Sequence, residues 1–180
     1  EQPASPDALG GAPWLIRRHA IVHVPSPQTL VTLRAAGTGS TAPNPYIGFG
    51  DFVPPSAAQF TRAFPSNRCG QDARLATGLG RLPGTRVEVT TSAQLLGAGP
   101  ARAILGAAFT IPTLKREPLD QFRVVHLATH ALLPGELSCL TEPSIVASPP
   151  AGAASAQAAF LPSSDVLDLK MDADLVILSA

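Results

Sequence analysis

Cysteine is scarce in this chain: Cys69 and Cys139 are the only two in 180 residues. Two thiols exclude a disulfide scaffold and a zinc site built on four thiolates. They are expected to be free in a reducing, cytoplasmic compartment, although a single bridge between them stays open. Charge is sparse too, at 14% of residues, with 13 basic side chains against 13 acidic ones. A chain with no net charge has no broad electrostatic hold on nucleic acid or an anionic membrane. No apolar run approaches the ~20 residues that a membrane-spanning helix needs. The pair Gly48 and Gly50 lacks the third glycine and the helix start of a phosphate-binding loop. His19 and His23 have no partner at catalytic or metal-ligand spacing. No nucleic acid, membrane, metal or cofactor is therefore implied.

What the chain does have is apolar sequence, 45% of it, in a length that suits one globular domain. Residues 1–13 are rich in Pro, Ala and Gly and read as linker, with the domain running from Trp14 to Ala180. A strand is expected over Ala20–Val24, then a helix capped by Ser26 with Pro27 in its first turn. Tyr46–Asp51 reads as a central strand and residues 53–81 as a long surface excursion. Leu82 opens a helix, with Thr85 and Glu88 at capping-box spacing and Gly97 as its stop. A strand at Arg102–Leu105 and a helix ending before Pro118 follow, and then the β-branched run from Val124 to Leu127. Strands alternating with helices imply parallel pairing and an α/β fold.

Further on, Pro143–Ala147 reads as a short strand and Ser148–Ala159 as a mobile low-complexity loop. A helix starts near Ser163, with Val166, Leu167 and Leu169 expected to face the sheet. Asp172–Ala180 reads as a second buried strand.

Chemistry is expected where the Val124–Leu127 strand leaves the sheet, at Thr129 and His130. In open parallel sheets ligands gather at the C-terminal ends of strands, and an imidazole titrates in the range that suits proton transfer. Cys139 follows His130 by nine positions (139 − 130), but it sits in a loop sequence and reads as structural.

The motifs His126-Leu127-Ala128-Thr129-His130-Ala131 and Asp174-Leu175-Val176-Ile177-Leu178-Ser179-Ala180 resemble the CHAT domain. That caspase-like module is often found behind tetratricopeptide repeats. Its usual pattern is H-x-A-T-H-G and, about fifty residues on, A-D-L-V-x-L-S-A-C. Similar too are Val24-Pro25-Ser26, the Gly50-Asp51 strand end, Leu82-Pro83-Gly84-Thr85 with Glu88, and Glu142-Pro143. Ala131 departs from the pattern, which has glycine there. The resemblance covers residues 14–180. It implies a caspase-like three-layer α/β/α sandwich with a mostly parallel sheet in the order 2-1-3-4.

By the same resemblance His130 is the catalytic base, the nucleophilic cysteine directly follows Ala180, and the backbone near Ala131 serves the oxyanion. The chain is then expected to be an excerpt of a longer protein. Ser179, two before that cysteine, is expected in the primary substrate pocket. Asp51 is expected on its rim, where a carboxylate would favour a Lys or Arg side chain; a turn-capping role for Asp51 is the alternative. Two functions stay open: a cysteine endopeptidase acting on polypeptides, with upstream tetratricopeptide repeats or a regulatory protein, or a catalytically silent caspase-like interaction domain.

Overall fold

The structure, a computed structural model, describes residues 14–19, 26–35, 37, 39–64, 78–134 and 140–179. The chain divides into two compact units, Glu1–Thr38 and Gly39–Ala180. In the first, a 3-10 turn spans Leu15–Arg17 and helix α1 spans Pro27–Ala35. The Ser26 hydroxyl accepts from the Thr29 amide at 3.2 Å, the cap that the Ser-Pro step predicts. Both the linker at 1–13 and the strand expected at Ala20–Val24 lie outside the described residues.

The second unit is built on a four-stranded parallel sheet in the order β2-β1-β3-β7. Its strands are β1 (Ile47–Gly50), β2 (Ala103–Leu105), β3 (Val124–Ala128) and β7 (Leu175–Ser179). The order places the histidine strand third and the final strand beside it, as the caspase-like resemblance implies. A second, three-stranded antiparallel sheet is made of β4 (Ala131–Leu132), β5 (Ser144–Val146) and β6 (Phe160–Pro162).

Strand alternation decides what each face carries. Ile47 and Phe49 of β1 and Val125 and Leu127 of β3 turn to one side. There they join Phe60 of helix α2 (Ala57–Ala63), Phe109, Leu114 of helix α4 (Ile111–Arg116), Phe122, Val146 and Leu161 in one core. The other face of β1 presents Gly48 and Gly50, and helix α3 (Gly84–Leu95) lies against them. A Cβ at Gly48 would come within 2.2 Å of the Tyr46 hydroxyl and 2.7 Å of Val89 Cγ1. The two glycines that looked like a broken phosphate loop are there so that α3 can approach the sheet.

Several local expectations need correction. Thr85 does not cap α3; Pro83 holds that position, and the Thr85 hydroxyl donates to the Leu82 carbonyl at 2.7 Å. The surface excursion contains α2, whose capping box pairs Ser56 with Gln59. The Ser148–Ala159 stretch is packed: Ser148, Ala156 and Ala159 are buried, and the Ser148 hydroxyl donates to the Gly106 carbonyl at 2.8 Å. Helix α5 (Ser163–Leu167) leaves Leu167 86% exposed, while Val166 and Leu169 pack on the core. Strand β7 is no buried strand: Leu175, Val176 and Leu178 are exposed, because side chains leave a strand through the faces of its sheet and among the described residues no helix packs against those of β7.

Candidate active site

The two histidines at the end of β3 have different surroundings. His126 faces α3, opposite to its neighbours Val125 and Leu127, and is buried. Its Nδ1 lies 3.0 Å from the Tyr46 hydroxyl, and its Nε2 lies 3.2 Å from Glu88 Oε1 and 2.9 Å from Ser179 Oγ. A carboxylate only accepts, so the proton belongs on Nε2 and the Tyr46 hydroxyl donates to Nδ1. Burial holds the His126 pKa below the usual imidazole value, with the charge and hydrogen bond of Glu88 opposing it. Tyr46 is pushed up to about 12, chiefly by burial; a hydrogen bond from Ser92 works against the shift and the Glu88 charge adds to it. At neutral pH the network is thus an uncharged imidazole and phenol facing one carboxylate, which makes His126 a poor base and a good clamp.

His130 is the first group beyond the strand and is half-buried. Its ring stands edge-on to Phe52, with centroids 5.5 Å apart. Nε2–H donates to the Gly80 carbonyl at 3.0 Å, since a carbonyl can only accept. In the neutral ring that contact puts the lone pair on Nδ1, the nitrogen left to face a substrate proton. The His130 carbonyl accepts from the Val146 amide at 2.9 Å and fixes the backbone from the other side.

Ala131 opens β4, paired with Ile145. Among the described non-glycine residues only Asp51 has a positive φ, so Ala131 sits in ordinary extended backbone and needs no glycine there.

Asp51 stands at the end of β1, buried, with φ +50°. Arg81 Nη2 donates to Oδ1 at 3.0 Å, and Arg86 donates to Oδ2 from Nε at 2.9 Å and Nη2 at 2.5 Å. Its amide donates to Thr85 Oγ1 at 2.7 Å. Both carboxylate oxygens therefore already have cationic partners from the chain itself. Ser179 Oγ accepts from His126 Nε2–H, and its carbonyl accepts from the Thr129 amide at 2.7 Å. Ala180, Cys69 and Cys139 lie outside the described residues.

The structure thus brings His130 and Ser179 to adjacent strand ends and sets Asp51 at the end of the next strand, β1. The Tyr46–His126–Glu88 network and the Gly80–Arg81 pair escaped the sequence reading. The signal for His126 was there: a histidine between two core-facing residues of a strand must point to the opposite face. Among the described residues no three His, Cys, Asp or Glu side chains gather to hold a metal. A groove of about 480 Å³ lies elsewhere, between α3 and β2, and is lined by residues such as Thr90, Gln94 and Pro100 with no titratable side chain.

Comparison with protein families matches the CHAT domain over residues 4–180. No curated protein and no solved structure matches. A match of that extent takes in every strand of the parallel sheet and both motifs at its rim, so the chain belongs to the CHAT domain family, a caspase-like family of the cysteine-peptidase type.

Proposed function

We propose that this chain supplies the histidine half of a cysteine endopeptidase site, with His130 as general base and the nucleophilic thiol on a cysteine directly following Ala180. The observation that supports this is the register of β3 with β7. Val124 pairs with Leu175 and Ala128 with Ser179, a constant offset of 51 (179 − 128). If that offset holds for two more residues, the position after Ala180 is opposite His130, which supports the reading without fixing it. Adjacent strands run about 4.8 Å apart, within reach of a thiol and an imidazole.

In this reading His130 Nδ1 takes the thiol proton as sulfur attacks the scissile carbonyl carbon. The C–N bond breaks, the amine leaves with that proton, and water then hydrolyses the thioester. Backbone N–H groups near Ala131 and the nucleophile face the developing oxyanion. Ser179 flanks the nucleophile, and its hydroxyl is held by His126. Asp51 shapes the rim, but with Arg81 and Arg86 upon it this carboxylate offers no free countercharge, so the proposal carries no preference for a basic side chain. Polypeptides are the proposed substrates, and tetratricopeptide repeats upstream a proposed partner.

The test is to express the chain with the residues that follow Ala180 and assay it on a broad set of fluorogenic peptides. His130→Ala should lower turnover by about 10²–10⁴-fold. The 180-residue chain alone should show none. Activity in that shorter chain that disappears with Cys139→Ala would mean that the nucleophile is Cys139 and the assignment is wrong.

A further inference from the structure

Two adjacent residues meet the two site positions that the sequence singled out. Gly80 accepts from His130 Nε2–H through its carbonyl, and Arg81 donates to Asp51 Oδ1, each at 3.0 Å. Gly80 has no side chain with which to hold itself, and it is exposed. Leu79 and Leu82, on either side of the pair, pack partly against the core. The only side chain in Gly80–Arg81 that reaches the sheet rim is the Arg81 guanidinium, and its target is Asp51 at the end of β1.

Asp51 is well suited to be that target. It is buried, its amide is fixed by Thr85, and Arg86, on the first turn of α3, occupies Oδ2. Oδ1 remains for a second cation, and Arg81 supplies it.

From this juxtaposition we infer that Arg81 is a positioning residue for the base: its ion pair with Asp51 holds the Gly80 carbonyl where it fixes the tautomer and orientation of His130. This rests on the reading of His130 as the base. Orienting the base by a third group is a general need of nucleophilic sites, because a ring free to flip offers the wrong nitrogen half of the time. Here the third group is a main-chain carbonyl, which no side-chain substitution at its own position removes. The replaceable component is one residue away.

Ring nitrogen shifts of the 180-residue chain test this without any need for turnover. His130 should be found as the Nε2–H tautomer, assigned by the loss of its signals in His130→Gln. In Arg81→Ala the ring should become a mixture of tautomers, and the same change should follow Asp51→Asn. Arg81→Lys keeps the charge and should restore most of the Nε2–H form. A His130 ring unchanged in Arg81→Ala overturns the inference. Should Arg81→Ala fail to fold, Asp51→Asn and Arg81→Lys decide it in the same way. In the chain carried past Ala180, Arg81→Ala should lower kcat about tenfold with KM unchanged, and equally for peptides with Arg, Asp or Leu before the scissile bond. A loss confined to Arg peptides would make Asp51 and Arg81 parts of a substrate pocket and also overturn it. If the unsubstituted extended chain has no turnover, the peptidase reading fails, while the tautomer result stands or falls by itself.

Discussion

Gly48 carries a steric demand that no other glycine of β1 and α3 matches. An added methyl there meets the Tyr46 hydroxyl, Tyr46 Cζ and Val89 Cγ1, all closer than 3.0 Å. Tyr46 cannot withdraw without breaking its bond to His126, nor Val89 without lifting α3 from β1. Gly48→Ala should therefore destabilise the fold by about 1–3 kcal/mol, in the range of overpacked cores. The matched control is Gly84→Ala at the start of α3, where an added Cβ meets nothing within 4 Å. Thermal melts of both variants should separate them, with the control unchanged or slightly raised. His126 supplies the second expectation at this scale. Its folded pKa lies below the unfolded value, so the unfolded chain binds more protons through that window. The stability gained from a neutral His126 is complete above about pH 6.5 and declines as the pH falls from there to the folded pKa. His126→Gln should flatten that part of the stability profile, measured by urea melts between pH 7 and 5. A slope that survives the substitution would assign it to another group.

At the level of elements, the sequence was readable wherever one local rule acted alone. β1, β2, β3 and β7 are short apolar runs, α1 is announced by Ser26-Pro27, and Gly97, at φ +74°, stops α3 as a C-terminal glycine should. Errors arose where two rules competed. Thr85 and Glu88 have capping-box spacing, yet both side chains are drawn to the sheet, one to Asp51 and the other to His126. The Ala/Ser-rich run before Phe160 looked mobile because small residues leave no hydrophobic period, but the same smallness lets Ala156 and Ala159 pack fully. The exposure of β7 depends on what covers the two faces of the sheet there, and that is not a property of its five residues. That the strand leading to His130 runs beside the strand of Ser179 was legible from the two motifs; the Gly80 carbonyl was not, since main-chain acceptors leave no mark on a sequence. Helix α2 was legible and overlooked: Ser56-x-x-Gln59 is a capping box, with Phe60 and Phe64 four apart. Ser56→Ala should cost about 1 kcal/mol, a shift of roughly 2–4 °C for a protein of this size. No change in melting temperature would mean that Phe60 packing alone fixes α2.

Over the whole second unit, distant parts of the chain are joined at its edges by carboxylates, while apolar contacts fill the interior. Asp174 accepts from the Ser40 amide at 2.6 Å and from Arg123 Nε at 2.8 Å, which ties the start of the unit to the entries of β3 and β7. The Ser40 hydroxyl adds a bond to the Asp172 carbonyl, and Thr41 donates to the Asp172 carboxylate from both its amide and its hydroxyl. Glu142 makes the corresponding tie for the antiparallel sheet, accepting from the hydroxyls of Ser163 and Ser164 and from the Ser164 amide. The hydrogen bond from the Ser40 amide is the main reason that the Asp174 pKa lies below the usual carboxylate value, with Arg123 assisting. For Glu142 the Ser164 amide leads, followed by the two hydroxyls. Carboxyls with depressed folded pKa values stabilise the native state above the ordinary carboxylate range near pH 4 and lose that contribution as pH falls through the folded values. The His126 loss begins at about pH 6.5 and the carboxyl loss at about pH 4, so the decline with acid should have an upper step that starts at His126 and a lower one that starts at the carboxyls. Asp174→Asn and Glu142→Gln should each flatten the lower step and leave the upper one intact, while His126→Gln should do the reverse. Urea midpoints taken from pH 7 to pH 3 on the three variants measure both steps. A lower step that neither carboxamide alters would show that the edge ties break without consequence for the fold, and that the core alone sets its resistance to acid.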